Sequence, residues 1–429
     1  MIDAFKVNKD VLLYFGIWLT IGMAIKPVGA ILTVLFILGF KRKNWTHLIL
    51  LGLWFTLIIS DNASGINFTK SIKPLIVVLC FMFVWFDKKN LKGQSNWYKY
   101  LIPFFVIVAF LWLRNPNPIE SLQKSVSLIL LFTTVPSLLL SAYENKGKSF
   151  LHSLIWFGWM LLSITLILSF VMPSSVIYYG RYSGVFRNPN GLGVFVTLFF
   201  FLFRVVNDLF PDLFKRKDRW LITGVCFLSI ILCGSRGALL AVIIFLTFNQ
   251  FYKISPYLGF LIMVLAISLA NYTLSQLPVI ITGLGLQEYF RLESLENGSG
   301  RLVAWEFAIE RIKESPYLGR GIGYTDYIFH KNYIELNLLG HQGNAHNSYL
   351  TYWLDTGIFG LVSLLIGLLI VFIKSSFNSR VALPICYAFL FMINVESWLI
   401  ASLNPFTIIL VMILTLLYHK KDILLNEEK

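Results

Sequence analysis

Apolar residues run almost unbroken along most of the chain, and polar positions interrupt them at intervals instead of alternating with them. Continuous apolar runs of about 17–25 residues mark membrane-spanning helices. On that pattern the sequence predicts fourteen spans: 10–25, 28–41, 46–60, 73–87, 98–114, 122–142, 150–172, 191–207, 220–234, 237–251, 254–271, 350–374, 381–400 and 404–418. Several are short. Lys26-Pro27 splits the first pair and Ser235-Arg236-Gly237 splits 220–234 from 237–251, so each pair also reads as one broken or re-entrant unit, which would leave twelve spans. The expected fold is an all-α integral membrane protein of 12–14 transmembrane helices with one large extracytoplasmic loop.

That loop is the one long interruption, Tyr272 to Tyr349, and it carries Arg291, Arg301, Arg311, Arg320, His330, His341 and His346. It divides the chain into three parts. Residues 1–271 form the N-terminal transmembrane bundle, 272–349 an extracytoplasmic loop with amphipathic helices, and 350–429 the C-terminal spans and a cytoplasmic tail.

Composition agrees with the pattern. The chain is 57% hydrophobic and 14% charged, where a soluble domain carries about 25% charged residues. The N-terminus lacks a short apolar run ending in a small-residue cleavage site, so the first run reads as a retained span. Cys80, Cys226, Cys233 and Cys386 sit in or beside apolar runs without zinc-like spacing and read as small core residues. The net charge of +14 has no soluble domain to present it to nucleic acid. It reads as loop bias and as attraction for an anionic substrate.

The loops fix an orientation. With the N-terminus in the cytoplasm, 22 of the 36 Lys and Arg fall in cytoplasmic segments and 14 on the other side, six of those in the long loop, which does not count. Both termini are therefore expected inside. Arg181, Arg187, Arg236, Arg301 and His346 then share the outer side.

Four stretches could carry chemistry. In Arg181-Tyr182-Ser183-Gly184-Val185-Phe186-Arg187-Asn188-Pro189-Asn190-Gly191, Asn190 reads as an N-cap, and the helix N-terminus behind two arginines offers N–H groups to an anion. An interfacial turn with snorkelling arginines is the plainer alternative. In Ser235-Arg236-Gly237-Ala238, a lone arginine between apolar runs has a guanidinium that suits a phosphate, or is an ordinary hairpin residue. Ser299-Gly300-Arg301 opens a helix with Leu302, Trp305, Ile309 and Ile312 on one face, ended by Pro316. Arg301 opposes the dipole of that helix, which hints at an anionic partner. Pro316 to Tyr324 reads as a tight turn, since no strand precedes it and no Lys-Ser/Thr follows, as a nucleotide loop would need.

Last, His341-Gln342-Gly343-Asn344-Ala345-His346-Asn347-Ser348-Tyr349 lies directly before a span. His346 is the general-base candidate, with a helix-capping role as the alternative and His341 and His330 weaker. No acidic or cysteine cluster accompanies the histidines, so no metal and no cofactor are expected. Glu396, near Asn394 and Asn404, and Asp355, one turn into a span, read as buried carboxylates paired with an outer arginine.

In order along the chain, Arg-x-Ser-Gly-x-Phe-x-Asn-Pro-Asn-Gly at 181–191, Ser-Arg-Gly-Ala at 235–238, Ser-Gly-Arg with Trp305 at 299–305, Pro-Tyr-Leu-Gly-x-Gly-x-Gly at 316–323 and His-Asn-Ser-Tyr-Leu at 346–350 resemble the O-antigen ligase and polymerase superfamily. The resemblance spans roughly residues 170 to 375. It implies a helical membrane bundle similar to the GT-C class and a metal-independent, inverting glycosyltransferase. The donor would be an undecaprenyl-diphosphate-linked oligosaccharide, used outside the cytoplasmic (inner) membrane. The family's diphosphate-binding arginines fall on Arg236 and Arg301 and its catalytic histidine on His346. Arg181, Arg187, Asn190, His341 and Asn347 are the expected substrate-binding residues. Expected partners are the lipid-linked oligosaccharide, membrane lipid and other polysaccharide-assembly proteins, with no nucleic acid.

The resemblance leaves the acceptor open. A polymerase joins repeat units into capsule, O-antigen or exopolysaccharide. A ligase moves the finished glycan to lipid A-core or another terminal acceptor. The polymerase is the preferred reading. A lipid-linked glycan flippase or transporter is the alternative of a different class, but internal pseudo-symmetry and charges within spans would be expected of it, whereas here the charges gather on one side and no repeat appears.

Overall fold

The computed structural model describes residues 9–61, 67–86, 95–178, 180–186, 188–255, 257–259, 261–262, 265, 282–283, 285, 301–341, 343–400 and 403–427. Among these the protein is an all-α integral membrane protein; the one sheet is a two-residue antiparallel pair, Ile177–Tyr178 with Arg181–Tyr182. Helices α1 (Lys9–Ala24), α2 (Lys26–Arg42), α3 (Thr46–Ser60), α4 (Lys73–Phe86), α5 (Ile102–Leu111), α6 (Pro118–Lys146) and α7 (Lys148–Val171) are followed by α8 (Pro189–Leu209), α9 (Arg216–Cys233) and α10 (Arg236–Ile254). After the loop segment come α11 (Arg301–Lys313), α12 (Tyr324–Lys331), α13 (Tyr333–Leu338), α14 (Ser348–Ser376), α15 (Ala382–Val395), α16 (Pro405–Tyr418) and α17 (Lys420–Glu427). Among the described residues six helical stretches are long and apolar enough to cross a membrane, and α3, α4, α15 and α16 are shorter apolar helices. Thirteen of the expected spans coincide with helices; the other, 254–271, lies largely outside the described residues.

Two of the short helices, α3 and α16, are surrounded by protein and not by lipid. Every residue of α3 is buried, and so is every residue of α16 except Tyr418. A helix apolar all round belongs inside a bundle, and there it need not match the roughly 30 Å of a hydrocarbon core. The four cysteines are free and buried, as small core residues.

Both doubtful pairs are two helices. The first pair folds back as a hairpin in which Trp18 Nε1 donates to Gly29 O at 3.0 Å, and Gly22 and Gly29 bring the backbones into contact. In the second, Gly234 takes the left-handed conformation (φ 57°) that ends α9, and α10 begins two residues later.

The turn at Pro316–Gly323 does more than return the chain. Helix α14 breaks at Gly357 (φ 69°, ψ 178°), and this turn wedges into the break. Ile358 N donates to Pro316 O (2.9 Å), Arg320 N to Leu354 O (3.1 Å) and Gly321 N to Asp355 O (2.7 Å), replacing bonds that the helix forgoes. A Cβ on Gly357 would meet Tyr317 O, so only glycine fits. The Asp355 carboxylate accepts from Gly323 N, Thr325 N and Thr325 Oγ1, each at 2.8 Å. The expected arginine partner for Asp355 is thus replaced by neutral donors of the wedge and of the first turn of α12.

The packed face of α11 also differs from expectation. Leu302 and Ile309 are 55% and 46% exposed. Ile312 is buried as expected, but Ala304, Phe307 and Ala308 complete the packed face, against Tyr324, Ile328, Phe329 and Leu354. Two alanines one turn apart let the helix approach closely, which the larger side chains would prevent.

Candidate functional site

His346 sits on the short connection between α13 and α14, in the left-handed region with φ 45°. A non-glycine residue there is uncommon and costs about 1 kcal/mol or more, and the surroundings hold it. Its backbone N donates to Asn344 Oδ1 (3.0 Å), which also accepts from Ser397 Oγ (2.9 Å). Ala345 O accepts from Trp305 Nε1 at 3.0 Å, tying the histidine turn to α11. The N-cap of α14 is Asn347, whose side chain accepts from Leu350 N, so His346 is released from any capping role.

Glu396 joins the parts. Helix α15 stops at Val395, five residues short of the expected span 381–400, so this carboxylate lies at a helix end and not inside the helix. Its Oε1 accepts from Arg301 Nη2 (2.9 Å) and from Asn190 Nδ2 (2.9 Å), while Oε2 is 3.3 Å from His346 Nδ1. A carboxylate at Nδ1 favours the tautomer that carries its proton there, leaving the Nε2 lone pair to act as base. The anion that the position of Arg301 hinted at is therefore present within the chain. The side chains of Arg301 and Glu396 are 29% and 12% exposed, so the pair is largely withdrawn from water yet borders open space.

Asn190 is the bridge between this group and the next. The N-cap of α8 is Asn188, which accepts from Asn190 N at 2.8 Å, and Pro189 occupies the first turn. Asn190 was expected to be that cap; freed of it, its Oδ1 accepts from Arg181 Nη2 (3.1 Å) while its Nδ2 serves Glu396. Arg181 also donates to Cys233 O through Nε (2.9 Å) and Nη2 (2.6 Å), and to Gly234 O (3.0 Å). It thus covers the last carbonyls of α9, where the helix dipole favours a cation, and fixes the turn that presents Arg236. Beside it, burial pushes the Tyr182 phenol well above its ordinary range, and its hydroxyl pairs with Thr165 Oγ1 at 2.7 Å.

Two glycines let these elements converge. A Cβ on Gly193 would lie 2.6 Å from Ser235 Cβ, so glycine seats the Ser235-Arg236 turn on α8. A Cβ on Gly237 would lie 2.8 Å from Val395 Cγ2, so glycine also brings α10 against the end of α15, one residue from Glu396.

The outcome is a cavity of about 140 Å³ lined by Arg181, Asn190, Ser235, Arg236, Gly237, Arg301, His346 and Glu396. Three guanidinium groups face one carboxylate and one imidazole, an electropositive pocket fitted to a multiply charged oxyanion. A second cavity of about 290 Å³ adjoins it and shares His346 and Glu396. Of the expected site residues, Arg181, Asn190, Arg236, Arg301 and His346 meet here. Asn347 is buried as a cap, with its amide donating to Asn394 Oδ1 (3.2 Å), and His341 is buried behind His346, ring edge to ring face at 6.2 Å. Arg187 lies outside the described residues. The sequence gives Glu396 only an arginine partner, Trp305 only a place on a packing face and Asn344 no role; a lone carboxylate near asparagines in an apolar stretch is the available signal.

No curated protein matches the chain. A family model described as O-antigen ligase matches residues 221–365, from within α9 to within α14. That stretch contains Arg236, Arg301 and His346, three of the residues that line the arginine cavity, and the match supports the O-antigen ligase and polymerase superfamily for this chain.

Proposed function

We propose that the protein is a glycosyltransferase that takes a glycan from an undecaprenyl-diphosphate-linked donor at the outer side of the cytoplasmic membrane and joins repeat units into a polysaccharide. The observation that carries the reading is the meeting of Arg236, Arg301 and His346 on one cavity, with Glu396 between the arginine and the imidazole.

In the proposed reaction His346 Nε2 takes the proton of an acceptor hydroxyl as that oxygen attacks the anomeric carbon. The new C–O bond forms while the bond from that carbon to the diphosphate oxygen breaks, and the electron pair leaves with the diphosphate. Arg236 and Arg301 stabilise the charge that develops there; in a largely water-excluded site one such donor is worth about 3–4 kcal/mol. Glu396 holds the imidazole and stabilises it once protonated. Attack from the face opposite the leaving group inverts the anomeric centre.

A second reading rests on the description of the matching family, O-antigen ligase: transfer of the glycan to a terminal acceptor such as lipid A-core. One experiment separates the two. Purified protein given lipid-linked repeat units alone makes a ladder of products on a gel if it polymerises. A ligase makes no product until lipid A-core is added. No transfer to either acceptor would remove the enzyme reading.

A further inference from the structure

The second cavity has a different chemistry from the first. Among the described residues no arginine lines it. Around His346 and Glu396 it gathers Asp61 beyond the end of α3, Lys73 at the start of α4, Asn188, Asn344, Trp398 and Phe406. Amides, a carboxylate, an amine and aromatic rings offer both donors and acceptors, the set that hydroxyl-rich ligands need; a wall of guanidinium groups offers donors only. Its volume of about 290 Å³ falls just below the roughly 300–1,000 Å³ usual for small-molecule pockets.

Trp398 supplies an independent sign. It is 6% exposed, and its indole Nε1 has no hydrogen-bond partner among the described residues. That nitrogen is closed off from the cavity, but the residue itself lines it, so a ligand seated there meets an aromatic wall beside the polar groups. The surrounding segment is well anchored: Asn404 Nδ2 donates to Trp398 O at 2.5 Å, and Asn404 Oδ1 accepts from Thr407 N at 2.7 Å.

We infer that this cavity is the acceptor subsite, which binds the terminal sugar of the receiving glycan and brings its hydroxyl to His346 from the side away from the arginines. The inference rests on the proposed glycosyl transfer and adds to it the place and chemistry of the second substrate. His346 lies on the wall common to both cavities, where a base must be to reach an acceptor hydroxyl within about 2.6–3.2 Å while the diphosphate leaves on the other side.

The test uses the full chain in detergent, with Asp61→Cys as the reporter and Lys73→Cys as a second reporter at the same cavity. The four native cysteines are buried, so the introduced thiol takes up a hydrophilic maleimide against a low background. The probes are the repeat oligosaccharide freed of lipid and diphosphate by mild acid, and inorganic pyrophosphate. The oligosaccharide is expected to slow labelling at least fivefold and pyrophosphate by less than twofold, with the same result in an Arg301→Ala background. Trp398→Ala, which removes the aromatic wall, should raise the oligosaccharide concentration needed for protection at least fivefold. Failure of the oligosaccharide to protect either reporter, or equal protection by pyrophosphate, overturns the inference. Protection in a protein that transfers nothing would sustain the sugar site and sink the transferase reading; transfer without protection would do the reverse.

Discussion

Two carboxylates, Asp355 and Glu396, organise the loop end of the bundle, and their partners differ in kind. Asp355 is fully buried and accepts from two backbone N–H groups and one hydroxyl, all neutral, from the end of the wedge that fills the break in α14 and from the first turn of α12. Glu396 borders a cavity and is shared by a guanidinium, an amide and an imidazole, side chains that arrive from three separate segments. The first arrangement fixes backbone to backbone and leaves no group facing a ligand. The second holds reactive side chains beside open space, at the cost of gathering charge where water is scarce. An isolated acidic residue in an apolar stretch thus has two fates, and the charge of its partners tells them apart.

Substitutions at the two carboxylates and their partners should separate accordingly. The largest effect on transfer is expected from His346→Ala and Arg301→Ala: each should lower the rate by at least about 10²-fold while the thermal midpoint of the purified protein stays near that of the wild type. Glu396→Gln keeps the shape and removes the charge, and should lower the rate by about tenfold to a hundredfold, less than loss of the base, which is typically worth about 10²–10⁴. Asp355→Ala should act through the fold. It strands two buried N–H donors at about 1–3 kcal/mol each, so the thermal midpoint and the yield of folded protein fall, and the folded fraction keeps its specific activity. Gly357→Ala should destabilise through the same wedge, by about 1–3 kcal/mol from the backbone conformation alone. The smallest change is expected from Trp305→Phe, which loses one hydrogen bond worth about 0.5–1.5 kcal/mol and should slow transfer a few-fold by loosening the histidine turn. If Asp355→Ala retained wild-type stability, or Glu396→Gln retained wild-type transfer, the distinction between the two carboxylates would fail.

Much of the membrane architecture could be read from the order of apolar runs, because each run forms its helix with bonds internal to itself. The arginine and histidine positions were legible too, since charged groups between apolar runs are few and each stands out. Glu396 was harder. Trp398, Leu399 and Ile400 resume the apolar run after Glu396-Ser397, so the helix end reads as a brief polar interruption within one span. The cap of α8 is Asn188 and not Asn190, in keeping with Pro189, which suits a first helical turn better than a position before a cap. The wedge was not legible, because the reason for the glycines of 316–323 lies in a break at Gly357, some 35 residues away in sequence. Patterns within one element survive in sequence; contacts between elements do not.

The central claim is that Arg236, Arg301 and His346 act together on a lipid diphosphate, and it is tested most directly by gel analysis of lipid-linked repeat units incubated with purified wild-type protein and with His346→Ala at equal folded concentration. The account predicts a product ladder from the wild type and none from the variant over the same time. An equal ladder from His346→Ala would contradict it.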